Sequence, residues 1–201
     1  RGLEYAQRKR VVHRDIKPDN LMLAEDGTAK IADLGLAHRS DDTAAAGGEG
    51  ILGTPHFISP EQAQGKPVDV RSDLYSLGAT FYRIVTGRNP FTGRNVRDIV
   101  LAQIRETATP VHEVDPAIPR ELGAIIQRMM EKEPDDRYQM PAELIEDLER
   151  IWDRADGSSA PNPLKKLLIG AGLGVAALIV LFVLFSGKDP EPSPQPEKPD
   201  I

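Results

Sequence analysis

Nineteen consecutive residues, Leu167 to Phe185 (LLIGAGLGVAALIVLFVLF), carry no charge and no strong polar group. A run of this kind has few places to go. As a helix it covers about 28 Å, close to the hydrocarbon thickness of a bilayer. A buried core helix of that length ordinarily keeps a polar stripe, and this run has none. It is therefore read as a single transmembrane helix. Lys165 and Lys166 stand before it; Lys188 and the tail DPEPSPQPEKPD follow. That cation balance puts the N-terminal part in the cytoplasm and the tail outside, a single pass through the cell membrane. Gly170 and Gly174 form a small-xxx-small pair that lets two helices approach closely, so a homodimer is an expectation.

The span divides the rest of the chain. Residues 186–201 are rich in proline and charge and cannot build a core, so they read as an extended extracytoplasmic tail. Residues 153–166 read as a juxtamembrane linker, with DRADGSSAPNP a flexible spacer. The folded part is then 1–152. The net charge of −6 argues against a nucleic-acid partner. The absence of cysteine excludes disulfides, thiolate metal sites and cysteine nucleophiles. The first residue is Arg, and the chain is expected to continue upstream.

Within 1–152, GLEYAQRKR reads as the last turns of a helix, with cations at its C-terminal end. NLMLAEDGTAKIAD reads as two short strands joined by a turn at Asp26-Gly27. SDLYSLGATFYRIVTG is apolar almost all round, as a buried helix would be, and stops at Gly87. NVRDIVLAQIRE, PRELGAIIQRMME and MPAELIEDLERIW follow as amphipathic helices. A small hairpin region leads into a bundle of helices.

Near the start, HRDIKPDN (His13 to Asn20) packs cations, acids and an amide into eight residues. Pro18 is expected to keep this loop from becoming helical. Asp15 and Asn20 facing a common point can accept a hydroxyl proton and hold a cation. Lys17 points to the same side as Asp15 if the stretch is extended, and can neutralise a phosphate. Asp33 comes thirteen residues after Asn20, and a hairpin between them would let the two share a metal ion. Two hard oxygen ligands beside a phosphate fit Mg²⁺, which takes the rest of its shell from water and substrate. Phosphoryl transfer needs positioning and positive charge more than covalent help.

HRDIKPDN, then DLG, GTPHFISPEQ and DVRSDLYSLG, in that order and spacing, resemble the C-terminal lobe of a eukaryotic-like serine/threonine protein kinase. With the membrane run, the chain is similar to the bacterial receptor-like members. The resemblance implies a mainly α (α+β) fold: a kinase C-terminal lobe with a small β hairpin, then one transmembrane helix. It implies ATP and Mg²⁺ as cofactors and proteins as substrates. Asp15 would be the catalytic base, Lys17 would contact the transferring phosphate, and Asn20 and Asp33 would hold Mg²⁺. Arg14 would pair with a phosphorylated residue of the activation loop. Thr54 would bond Asp15 and Lys17 and shape the pocket beside the acceptor hydroxyl. Glu61 would form a buried ion pair with Arg137, and Asp73 would hold the catalytic-loop backbone. His13 would pack under the loop as a structural residue, and Asp19 carries no role.

The departures matter, and they touch packing at the middle residue of DLG more than metal binding. DLG replaces the usual Asp-Phe-Gly, and SPE replaces Ala-Pro-Glu. Between Asp33 and Glu61 the hydroxyls are Ser40, Thr43 and Thr54; Thr43 is the leading phosphosite and Ser40 the second, both beside Asp41 and Asp42. The family's glycine-rich loop, strand lysine and helix glutamate are not among these 201 residues. The chain alone is therefore expected to show little or no kinase activity and to expose apolar surface where the other lobe docks. A non-catalytic, membrane-tethered docking module is the alternative reading.

Overall fold

The computed structural model describes residues 2–25, 28–32, 38–39 and 55–155, the last residue and 38–39 by backbone alone. The apolar run at 167–185, the linker beyond Ala155 and the tail lie outside the described residues. Among the described residues no helix is long and apolar enough to cross a membrane.

The chain opens with α1 (Gly2–Arg8), whose Leu3 is buried. Strand β1 (Val11–Val12) pairs antiparallel with β4 (His38–Arg39), Val11 opposite Arg39 and Val12 opposite His38. Strands β2 (Leu21–Leu23) and β3 (Ala29–Ile31) form the expected hairpin, Leu21 opposite Ile31. Its ladder is extended at both ends: the Ala24 N–H donates to Thr28 O at 2.9 Å, and the Ala32 N–H to Asn20 O at 2.8 Å. The turn at Asp26-Gly27 lies outside the described residues.

Helices then follow: α2 (Pro60–Ala63), α3 (Val70–Thr86), α4 (Val96–Arg105), α5 (Val111–Val114), α6 (Arg120–Met129) and α7 (Pro141–Ala155). The starts of α2, α3 and α4 are set by side chains that satisfy the open amides of a first turn. The Ser59 Oγ accepts from Gln62 N–H, Asp69 from Arg71 N–H, and Asn95 from Asp98 N–H. Gly87 ends α3 in the left-handed region, φ 69°, with its N–H on Arg83 O. Only glycine takes that conformation without steric cost. The last turn of α7 includes Asp153 and Arg154, which the sequence assigned to the spacer; no glycine or proline interrupts helical propensity before Gly157.

α3 is the axis of the helical part, touching α1, α5, α6 and β1. Leu74, Tyr75 and Ala79 are fully buried on it, and Ile126 and Met129 of α6 and Leu144 and Leu148 of α7 complete the core. Each large apolar side chain so buried contributes about 1.5–3 kcal/mol. Gly78 of α3 faces Met129 so closely that a Cβ there would lie 2.7 Å from the Met129 Cβ. The absent side chain is what lets α3 and α6 approach.

Candidate active site

Val12 and Ile16 are both 1% exposed and pin the chain on either side of His13–Asp15. Between them the backbone lies over the first turn of α3. Asp73, itself buried, accepts the His13 N–H at 2.8 Å on Oδ2 and the Arg14 N–H at 2.9 Å on Oδ1. Loss of water around it pushes its carboxyl up to about 7, against the pull of those two amides and of the Arg14 charge. Arg14 sits at φ 67°, a left-handed backbone unusual for a residue with a side chain. Its peptide is clamped from both sides, because Gln62 of α2 donates to the Arg14 carbonyl at 2.8 Å. Sequence reasoning missed Gln62; a glutamine in a four-residue helix carries no pattern that reveals a partner 48 positions away.

His13 is buried as expected of a structural residue. Its Nε2 lies 3.2 Å from Ala32 O, and its Nδ1 accepts the Asp15 N–H at 3.4 Å. A ring with its hydrogen on Nε2 satisfies both contacts. The imidazole thereby ties the loop to the far end of the hairpin.

Lys17 is fully extended, φ −154° and ψ 166°, and Pro18–Asn20 then form a 3-10 turn. This corrects the expectation that Pro18 keeps the loop non-helical. Proline occupies the first position of the turn, where its missing N–H is not needed. The extended residue followed by the turn brings three side chains together. The Lys17 Nζ lies 2.7 Å from Asp15 Oδ2, and Asn20 Nδ2 donates to Asp15 O at 2.8 Å and to Oδ2 at 3.0 Å. Asp15 Oδ1 and Asn20 Oδ1 accept no hydrogen bond among the described residues. The Lys17 and Asp15 side chains retain 21% and 11% exposure, enough for a substrate to reach them.

The hairpin returns the chain at Ala32 to Asn20. Asp33, Ser40, Thr43 and Thr54 lie outside the described residues. Among the described residues no three His, Cys, Asp or Glu side chains gather as a metal cluster. The Nε of Arg14 is buried and has no hydrogen-bond partner among them.

Behind the loop, Glu61 and Arg137 meet as expected, through two bonds of 2.8 Å. The guanidinium is wholly buried. Its five N–H groups are all used: on the two Glu61 oxygens and on the carbonyls of Arg71, Glu131 and Lys132. Burial alone would raise the Glu61 carboxyl; the Arg137 bonds and charge and the Ser72 hydroxyl outweigh it and hold the group below its ordinary value. This pair fixes α2, and with it Gln62, against α3 and the turn before α7.

A loop of this make suits phosphoryl transfer, where a placed acceptor and local positive charge matter more than covalent chemistry. Comparison with known proteins gives the class a name. The family model described as "Protein kinase domain" matches residues 1–147. The chain is 40% identical over 151 residues to a "Probable serine/threonine-protein kinase" of Clostridium perfringens, 75% of this chain and 22% of that protein. It is 41% identical over 149 residues to the "Probable serine/threonine-protein kinase PknB" of Bifidobacterium longum, 73% of this chain and 22% of that one. The "Serine/threonine-protein kinase PknB" of Mycolicibacterium smegmatis is 36% identical over 168 residues, 83% of this chain and 26% of the relative. The chain thus spans only 22% to 26% of these relatives' own length. It belongs to the protein kinase domain family.

Proposed function

We propose that the chain carries the catalytic-loop lobe of a membrane-linked protein serine/threonine kinase. The observation that carries this reading is the loading of Asp15. Lys17 and Asn20 both donate to Oδ2, which leaves Oδ1 for the acceptor hydroxyl of a protein substrate. In the proposed step the Ser or Thr oxygen bonds to the γ-phosphorus of ATP, the bond to the leaving ADP oxygen breaks, and the hydroxyl proton passes to Asp15. Among the described residues Lys17 spends one N–H on Asp15, and its remaining N–H groups can serve the phosphate oxygens. Asn20 spends its NH₂ on Asp15, so its Oδ1 is the atom left to bind a hard cation, with Asp33 as the second ligand. Bound Mg²⁺ would supply the positive charge that offsets the phosphate oxygens.

Thr54 is assigned to the pocket beside the acceptor hydroxyl. Thr43, then Ser40, is assigned as an activating phosphosite, and the unpartnered Arg14 Nε supports a phosphate acceptor there. The apolar run 167–185 supports a single span, with Gly170 and Gly174 as a homodimer contact.

Transfer of labelled phosphate from ATP with Mg²⁺ to a basic protein tests the reading. The protein expressed from its complete open reading frame should transfer phosphate, and Asp15→Asn should lower the rate by about 10²–10⁴-fold. The 201 residues alone should show little or none. A folded, complete protein without transfer would leave the docking module as the reading.

A further inference from the structure

Away from the catalytic loop, a line of buried polar groups ends on the segment that directly follows Thr54. Gln103 of α4 is wholly buried. Its Nε2 donates to two successive carbonyls, Pro55 O at 3.2 Å and His56 O at 2.6 Å. Its Oε1 accepts the Tyr75 hydroxyl at 2.6 Å. Lys132 donates to that same hydroxyl at 3.1 Å and to the Gln103 backbone carbonyl at 2.9 Å. An ammonium can only donate, so the Tyr75 hydrogen is left for Gln103, on Oε1 at 2.6 Å and the backbone carbonyl at 3.4 Å, and an amide turned over would set Oε1 against two carbonyls. The Lys132 charge is held 4.4 Å from the centre of the Phe91 ring, and Phe91 O lies 3.2 Å from His56 Nδ1.

Residues 55–61 are thereby fixed at both ends, by Gln103 and by the Glu61–Arg137 pair. An apolar plug would fill the space behind Pro55 without the desolvation of so many polar groups. A directed amide does what a plug cannot, which is to set the orientation of two peptide planes.

We propose that Gln103, oriented by Tyr75 and Lys132, is a positioning residue for the acceptor protein, acting through the backbone of Pro55 and His56. The inference rests on the kinase reading and on the role that reading assigns to Thr54. With those carbonyls released, residues 55–61 lose one of their two anchors, while Lys17 and Asn20 keep their bonds to Asp15.

The test uses the protein from its complete open reading frame, an acceptor peptide, and water as an alternative acceptor in ATP hydrolysis. Gln103→Met keeps length and volume and removes both donors. It should raise the KM for peptide about tenfold, the loss expected of two hydrogen bonds. The KM for ATP and the rate of ATP hydrolysis should stay within about twofold. Gln103→His, which can donate from one ring nitrogen and accept at the other, should recover part of the peptide KM. Should Gln103→Met misfold, Tyr75→Phe provides the second variant, since it frees the amide to rotate without removing it. Equal loss of peptide transfer and ATP hydrolysis, or an unchanged peptide KM in a folded variant, overturns the inference alone. Absence of any transfer by the unmutated, folded protein overturns the kinase reading and this inference with it.

Discussion

Asp73 and Arg137 are two buried charged groups with opposite prospects. Asp73 has two amides and, among the described residues, no cation in hydrogen-bond contact, and burial raises it from 3.8 to about 7. Between those values the folded lobe holds a proton that the unfolded chain has released. The stability this group contributes is therefore full below about pH 4 and is lost as pH rises through about 7. Urea unfolding at pH 5 and pH 8 should show the lobe less stable at the higher pH, and Asp73→Asn should flatten that difference. An unaltered slope in the variant would refute the burial account. Arg137 is paired at every N–H, so removing it strands Glu61 without its cation. Arg137→Met should destabilise the lobe by roughly 3–5 kcal/mol, and adding Glu61→Gln should recover a large part. Urea midpoints of the single and double variants decide it. Both residues were legible only through the resemblance. Nothing local to Glu61 announces a partner 76 positions away.

Elements were legible in proportion to their length and periodicity. α3, α4, α6 and α7 follow from runs of apolar residues bounded by caps, and the hairpin follows from two strands around Asp26-Gly27. α2 and α5, with four residues each, and the β1–β4 pair, with two residues a strand, are below the length at which a period can show. They exist because the tertiary structure supplies their partners. The Pro18–Asn20 turn was misread because proline was taken as a breaker where it serves as a first residue. The contact between α3 and α6 gives the prediction at this scale. Gly78→Ala places a methyl 2.7 Å from the Met129 Cβ and 3.1 Å from the Met130 Cγ. The two helices must then move apart, which should cost about 1–3 kcal/mol. A thermal midpoint equal to that of the unmutated lobe would mean that the helices separate freely.

Over the whole molecule, the lobe and its loop occupy the first three quarters of the sequence, and the apolar run follows. If 167–185 spans a bilayer, the chain should float with lipid vesicles after alkaline extraction. Replacing Leu173 and Leu178 together by arginine should release it, since each charge at mid-bilayer costs about 2.5–3.5 kcal/mol on insertion scales. Retention of the doubly charged variant would argue against the span. The candidate site was readable in its chemical groups, Asp15, Lys17 and Asn20, because they share one short stretch. What steadies them was less readable: Asp73, 60 positions from His13, came only through the resemblance, and Gln62, 48 positions from Arg14, was missed. The same separation governs the order of manufacture. Glu61 leaves the ribosome 76 residues before the arginine that neutralises it. At ordinary elongation rates that interval is about 4–15 s. Throughout it Glu61 lacks Arg137, and the HRDIKPDN loop has no settled Gln62. The helices around that loop therefore close only once residue 137 has emerged.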